Sequence, residues 1–242
     1  ASNWQLKVNP CKSSVLHLGS KNPHITYSVN NSVINVSDLI CDLGIKYDCK
    51  LNFDEYIDSI VFKAYQRLNM IFRSFHSRNK KILKSAYVTY VRPLLEYCTS
   101  IWSPCDLQFI NKLENVQRYF TRRLFPGAVY SYQERILLLE LESLEARRIK
   151  ADLKIYYKII HRLIDLDPSD FFIFAPNPEL GRGHHLRLHK SLCQNDVELN
   201  SFSNRAVNCW NELPSEMVTA KLGFLGFKYK LKKINKNKFG YY

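Results

Sequence analysis

The residues of this chain best suited to chemistry are positively charged and spaced for helices: Lys63, Arg67, Arg73 and Arg78, then Arg118, Arg122 and Arg123. The chemistry they suggest is the gripping of phosphates, because arginine's planar fork meets phosphate oxygens better than an ammonium can. The plainer reading is a solvated polar face, which every surface helix needs. Few acids accompany Arg118, Arg122 and Arg123, and this favours the phosphate reading. A second basic patch, Arg182-Gly183-His184-His185-Leu186-Arg187, combines charge with a glycine that would let backbone approach an RNA strand closely. Its alternative is a surface turn. His184, His185, His189 and Cys193 are zinc-ligand types, but no CxxC pair accompanies them, and no metal is expected in this chain. No Gly-x-Ser-x-Gly or Gly-Lys-Ser/Thr loop is present, and no spacing supports a Ser-His-Asp or Cys-His centre. Phe202, Trp210 and Leu213 could stack on bases, yet aromatics at helical spacing read better as core.

The elements that must position these side chains follow from hydrophobic period. Over residues 1 to 50 short runs alternate, as in Ser14-Val15-Leu16 and Ser32-Val33-Ile34, and are broken at Asn30-Asn31; strands and hairpins are predicted. From Asn52 the period lengthens. Ile57, Ile60, Val61, Ala64, Leu68, Ile71, Phe72 and Phe75 share one face of a helix, with Asp54, Glu55 and Asp58 at its start and Arg73 and Arg78 near its end, as the helix dipole favours. A second helix, 79 to 101, turns Leu83, Tyr87, Tyr90, Val91, Leu94 and Leu95 inward, and Pro93 should kink or split it. A third, 107 to 124, carries Phe109, Leu113, Val116, Phe120 and Leu124 in one stripe opposite Arg118 and Arg122. Ser131-Tyr132-Gln133-Glu134 predicts a capping box, and Ser143 opens a helix to Leu163. Residues 165 to 179, with Pro168, Pro176 and Pro178, read as a linker and domain boundary. Beyond it come an extended polar stretch, a capped helix from Ser201 to Glu212, and a basic tail from Lys221 to Lys238 with seven lysines and no acid.

With 242 residues and 46% hydrophobic content the chain can bury one or two cores. Its formal charge of +13 concentrates polyanions, and nucleic acid is the first partner to expect. An anionic membrane is the second that charge suggests, but no run of eighteen apolar residues and no secretory signal is visible, so no spanning helix is expected and membrane is not counted among the partners. Seven scattered cysteines, an odd number, fit reduced thiols in an intracellular protein better than a disulfide framework. The start at Ala1, without Met, is read as a fragment or processed piece.

Three stretches together resemble the thumb of non-LTR (LINE-type, jockey-like) retrotransposon reverse transcriptases: Tyr90-Val91-Arg92-Pro93-Leu94-Leu95-Glu96-Tyr97, Ile101-Trp102-Ser103-Pro104, and Leu113-Glu114-Asn115-Val116-Gln117-Arg118-Tyr119-Phe120-Thr121-Arg122-Arg123. Trp4 to Lys12 looks like the segment that follows the polymerase centre, and Asp42-Leu43-Gly44-Ile45 like the primer-grip turn. Arg182-Gly183-His184, Phe202-Ser203-Asn204-Arg205 and Trp210-Asn211-Glu212-Leu213-Pro214 are similar to the C-terminal segment. The resemblance implies an α+β, mainly α fold: palm end and primer-grip hairpins over 1 to 51, a helical thumb over 52 to 164, and a C-terminal segment over 180 to 242. It implies RNA template, DNA primer and element RNA as partners, action in nucleus and cytoplasm, and Lys12 as a latent stabiliser of departing pyrophosphate. It makes Leu43, Gly44, Arg182 and His184 nucleic-acid contacts beside the arginines. The complete polymerase would use magnesium held by paired aspartates. No Asp-Asp pair occurs here, so this chain alone is expected to be inactive. The alternative is a non-catalytic remnant that binds RNA or protein through the same helices.

Overall fold

The computed structural model describes residues 9–19, 21–75, 79–127, 129–176, 183–193, 196–219 and 223–234. It is mainly helical, with short strands near the N-terminus, as an α+β, mainly α reading requires. Two compact units emerge, residues 1–63 and 64–242, with their boundary inside a long helix.

In the first unit a 3-10 turn, Pro10–Lys12, is opened by the Asn9 side chain accepting from the Cys11 amide. The strands are β1 (Ser14–Val15), β2 (Ser28–Val29), β3 (Ser32–Val33), β4 (Asn35–Val36), β5 (Leu39–Asp42) and β6 (Ile45–Asp48). β1 pairs in parallel with β4, while β2–β3 and β5–β6 are antiparallel hairpins. Asn30 and Asn31, at φ 52° and 61°, make the two-residue left-handed turn that suits the twist of hairpin strands. The β5–β6 turn uses Leu43 at φ 47° and Gly44 at φ 86° in the same way.

Helix α1 (Asp54–Ser74) buries its predicted stripe from Ile57 to Phe72, and its first turn carries Asp54 and Glu55. In the second unit, α2 (Lys80–Ala86) is capped by Asn79. A π-helical turn, Tyr87–Val91, leads into α3 (Arg92–Glu96), and α4 (Thr99–Trp102) follows a left-handed Cys98. The chain stays helical from Lys80 to Glu96, and the disturbance expected at Pro93 takes the form of the π turn just before it, since proline has no amide to continue the ladder. The π turn shifts the helical phase, so Leu83, Tyr87, Val91 and Leu95 are buried while Tyr90, predicted inward, is 57% exposed.

α5 (Leu107–Leu124) matches its predicted bounds, with Asp106 as its cap. α6 (Tyr132–Leu138) has the expected capping box between Ser131 and Glu134. α7 (Leu144–Ile160) is capped by Ser143 and ends before Leu163, which is exposed. α7 is buried nearly all round, including Glu145, Arg148, Lys150 and Asp152.

The linker expected over 165 to 179 is described as far as residue 176, and to there it is more than a bare connection. It holds α8 (Pro168–Phe171), and its chain pairs with the segment beyond: the Ala175 amide donates to the Arg187 carbonyl (2.9 Å) and the His189 amide to the Ile173 carbonyl (2.7 Å). The rest is α9 (Asp196–Leu199), α10 (Phe202–Arg205), α11 (Val207–Asn211), α12 (Ser215–Val218) and α13 (Gly223–Lys233). The single helix expected over 201 to 212 is therefore two, broken at Ala206.

Of the expected basic tail, residues 223–233 form a packed helix. α13 seats Phe227 and Leu231, each fully buried, against Tyr157 and Trp210 on α7 and α11. Trp210 and Leu213 are core and Phe202 packs against that core, as preferred over base stacking. One continuous core thus joins α7 to α13, and the C-terminal segment is not a separate domain.

Candidate nucleic-acid interface

α1 and α5 present their basic residues around a shared aromatic seam. Phe120 of α5 stacks at 4.3 Å on Tyr87 and at 6.1 Å on Phe72 of α1. Tyr119, one residue earlier, lies edge-on to Tyr65 at 5.5 Å and donates its hydroxyl to Asn69 Oδ1 (3.1 Å). The Arg123 guanidinium covers the Phe72 ring at 4.7 Å and donates to the Tyr119 hydroxyl (3.2 Å). Burying such rings contributes about 2 kcal/mol each and holds the two arginine-bearing helices in register.

The C-terminal turn of α5 opens onto a groove of about 590 Å³, lined by Leu83, Tyr119, Arg122, Arg123, Leu124 and Pro126. No acid lines it. Arg122 and Arg123 are exposed, and Lys80 at the start of α2 stands 3.9 Å over the neighbouring Phe125 ring. Burial, and then the nearby charge of Arg122, hold the Arg135 guanidinium below its usual pKa. Arginines at a helix C-terminus are also favoured by the dipole, so part of this placement is structural.

The other predicted residues are placed differently. Arg118 is half-buried, bonded to Asn115 (3.2 Å) and facing the Tyr132 ring at 5.2 Å, so it supports the α5–α6 contact. Arg67 is exposed but donates to the Tyr90 carbonyl (2.9 Å), and Arg73 is exposed on the last turn of α1. Arg78 and Arg182 lie outside the described residues. His184 is corrected: it is 1% exposed, donates from Nε2 to the Trp210 carbonyl (2.9 Å), and lies edge-on to the indole. Burial holds its pKa down, and an enclosed, neutral imidazole presents nothing to an external strand. Gly183 beside it is exposed at φ 136°.

In the N-terminal unit, Lys12 is exposed at the end of its 3-10 turn, and Lys63 is exposed on α1. Leu43 is 82% exposed at the hairpin tip. A Cβ on Gly44 would meet nothing within 4 Å, so its φ, and no internal crowding, calls for glycine. A leucine in the left-handed region costs about 1 to 2 kcal/mol, whereas asparagine tolerates it. Leu43→Asn should therefore stabilise the hairpin by about 1 kcal/mol, read as slower amide exchange across β5 and β6. Faster exchange would show that the leucine packs where it is drawn as exposed.

A buried polar network behind α5 was missed from sequence. The Tyr87 hydroxyl donates to Gln117 Oε1 (3.0 Å), and Gln117 Nε2 donates to the Tyr132 hydroxyl (2.9 Å) and the Glu142 carbonyl (2.9 Å). The Tyr132 hydroxyl donates to Glu114, whose other oxygen accepts the Leu144 amide (2.9 Å) and so caps α7. Burial raises the Glu114 pKa, partly offset by these donors. The spacing of Glu114, Gln117 and Thr121 at three and four residues is a helical stripe in its own right, and that was the available signal.

Among the described residues no group of three His, Cys, Asp or Glu side chains could hold a metal, and all seven cysteines are free thiols. Among them, too, no helix is long and apolar enough to cross a membrane.

No family model matches the chain, and no solved structure matches it. The chain is similar to an uncharacterized protein of Caenorhabditis elegans, 30% identical over 122 residues, a stretch covering 49% of this chain and 62% of that protein.

Proposed function

We propose that this chain is the C-terminal part of a non-LTR retrotransposon reverse transcriptase and that its helical unit grips the template-primer duplex. The observation that carries the reading is the acid-free groove at the end of α5, where Arg122 and Arg123 flank Tyr119. Guanidinium forks beside an aromatic face suit a phosphate backbone. The formal charge of +13 and the sequence resemblance support the same partner. The exposed hairpin tip at Leu43 and Gly44 would serve the primer strand. Among the described residues, buried Glu114 is taken by Tyr132 and Leu144, and buried Asp152 by Arg205. Lys12 would act only beside the magnesium-holding aspartates that the resemblance implies. The place of action is nucleus and cytoplasm, where such an element meets its RNA and chromosomal DNA.

Fluorescence anisotropy with a labelled RNA–DNA hybrid tests the grip. About six phosphate contacts predict a log-log salt slope near −5, and Arg122→Ala with Arg123→Ala should flatten it by about 2. A slope near zero in the unaltered chain would sink the proposal.

A further inference from the structure

A second basic site shares no lining residue with the α5 groove. Six cationic side chains, Arg92, Arg147, Lys150, Lys154, Lys228 and Lys232, surround a cavity of about 280 Å³ between α3, α7 and α13. Two carboxylates answer them. Glu96 is engaged by Arg147 through two nitrogens and by Arg92 at 3.3 Å, and Glu142 is engaged by Lys150 at 2.8 Å. Six cations against two carboxylates leave an excess of four positive charges in a partly enclosed space.

Such an excess is costly unless something offsets it, because charges removed from water interact more strongly than at the surface. Lys154 reports the strain. Its pKa is lowered by burial first, then by Arg147 and Lys228. The deep members are rigid: the Lys150 side chain is 5% exposed and Arg147 is fixed by its carboxylate. The rim members, Lys228 and Lys232, are exposed and one turn apart on α13, whose Phe227 and Leu231 anchor that helix in the core. A buried floor with an exposed lysine rim matches an anion carrying several charges in a small volume. A nucleic-acid strand spaces its phosphates along an extended backbone and would bring fewer into one cavity.

The geometry points to a receptor for a compact oligophosphate, two or three phosphoryl groups on one small anion, seated between α3, α7 and α13. Two lysines of the former tail, Lys228 and Lys232, are its rim, on a helix whose Phe227 and Leu231 are buried. Binding would clamp α13 onto α7.

Isothermal titration of the full chain with inorganic triphosphate, at fixed ionic strength, is the direct test. The expected result is saturable binding of one anion per chain, weakened at least tenfold by Lys228→Ala with Lys232→Ala and unchanged by Arg122→Ala with Arg123→Ala. The rim lysines are exposed, so their removal should leave the melting curve without ligand unaltered; Lys154→Met, which keeps the apolar stem, should weaken binding further. Absence of saturable binding overturns the proposal. So does equal weakening by the groove and rim pairs, which would mean diffuse charge attraction. Tighter binding of a single-stranded oligonucleotide through the same rim lysines would overturn it in favour of a second nucleic-acid contact.

Discussion

Phe227→Ala should destabilise the second unit by about 3 to 5 kcal/mol, the range for deleting a buried aromatic ring. The ring is fully buried, stacked at 4.4 Å on Tyr157 and 6.2 Å from Trp210, so truncation leaves a cavity among large rigid neighbours that cannot collapse into it. At about 2 to 4 °C per kcal/mol for a domain of this size, the melting temperature should fall by roughly 6 to 20 °C. Leu225, two residues earlier on α13, is 79% exposed, and Leu225→Ala should change stability by no more than about 0.5 kcal/mol. The contrast separates a docked helix from a solvated basic tail. If both substitutions were neutral, α13 would not be packed on α7, and the oligophosphate site would lose its rim as well.

The second large effect concerns the ion pair that ties α7 to α10. Arg205 donates from Nε to Asp152 Oδ2 (2.8 Å) and from Nη2 to Asp152 Oδ1 (3.0 Å), and Nη2 also reaches the Ser100 carbonyl in α4 (2.8 Å). The Asp152 side chain is 2% exposed and that of Arg205 15%. Replacing such a pair with apolar residues is often neutral, but removing one partner strands a buried charge and costs about 3 to 5 kcal/mol. Asp152→Ala should incur that cost in urea denaturation, and Asp152→Leu with Arg205→Met should recover much of it. A single-variant loss below about 1 kcal/mol would mean that water already reaches the pair. The Phe202-Ser203-Asn204-Arg205 segment, singled out from sequence for its resemblance, thus contains a structural anchor: its arginine faces inward to α7.

Local patterns were legible wherever an element's neighbours in sequence are also its neighbours in space. The bounds of α5, the capping box at Ser131 and Glu134, the buried stripe of α1 and the Asn30-Asn31 turn each rest on interactions within a few residues. The sequence by itself determined the mainly helical class, the hairpins that precede it and the basic balance of the chain. It could not determine which polar residues are enclosed, because a helix packed on several sides buries more than one stripe. Glu114, Gln117 and Thr121 look solvent-facing by period, yet their partners Tyr132, Leu144, Tyr87 and Arg135 stand 14 to 30 residues away. The same reason hid His184 against Trp210 and the apolar face of the lysine-rich end against Tyr157. Only the tertiary structure decided that residues 165–176 of the proline-rich stretch are tied to the segment beyond, because backbone pairing of Ala175 to Arg187 and of Ile173 to His189 outweighs what turn residues suggest locally. It decided the arginines' fates as well: four residues apart on one helix, Arg118 was drawn against Tyr132 and Arg122 was left at the groove, according to what packs beside each.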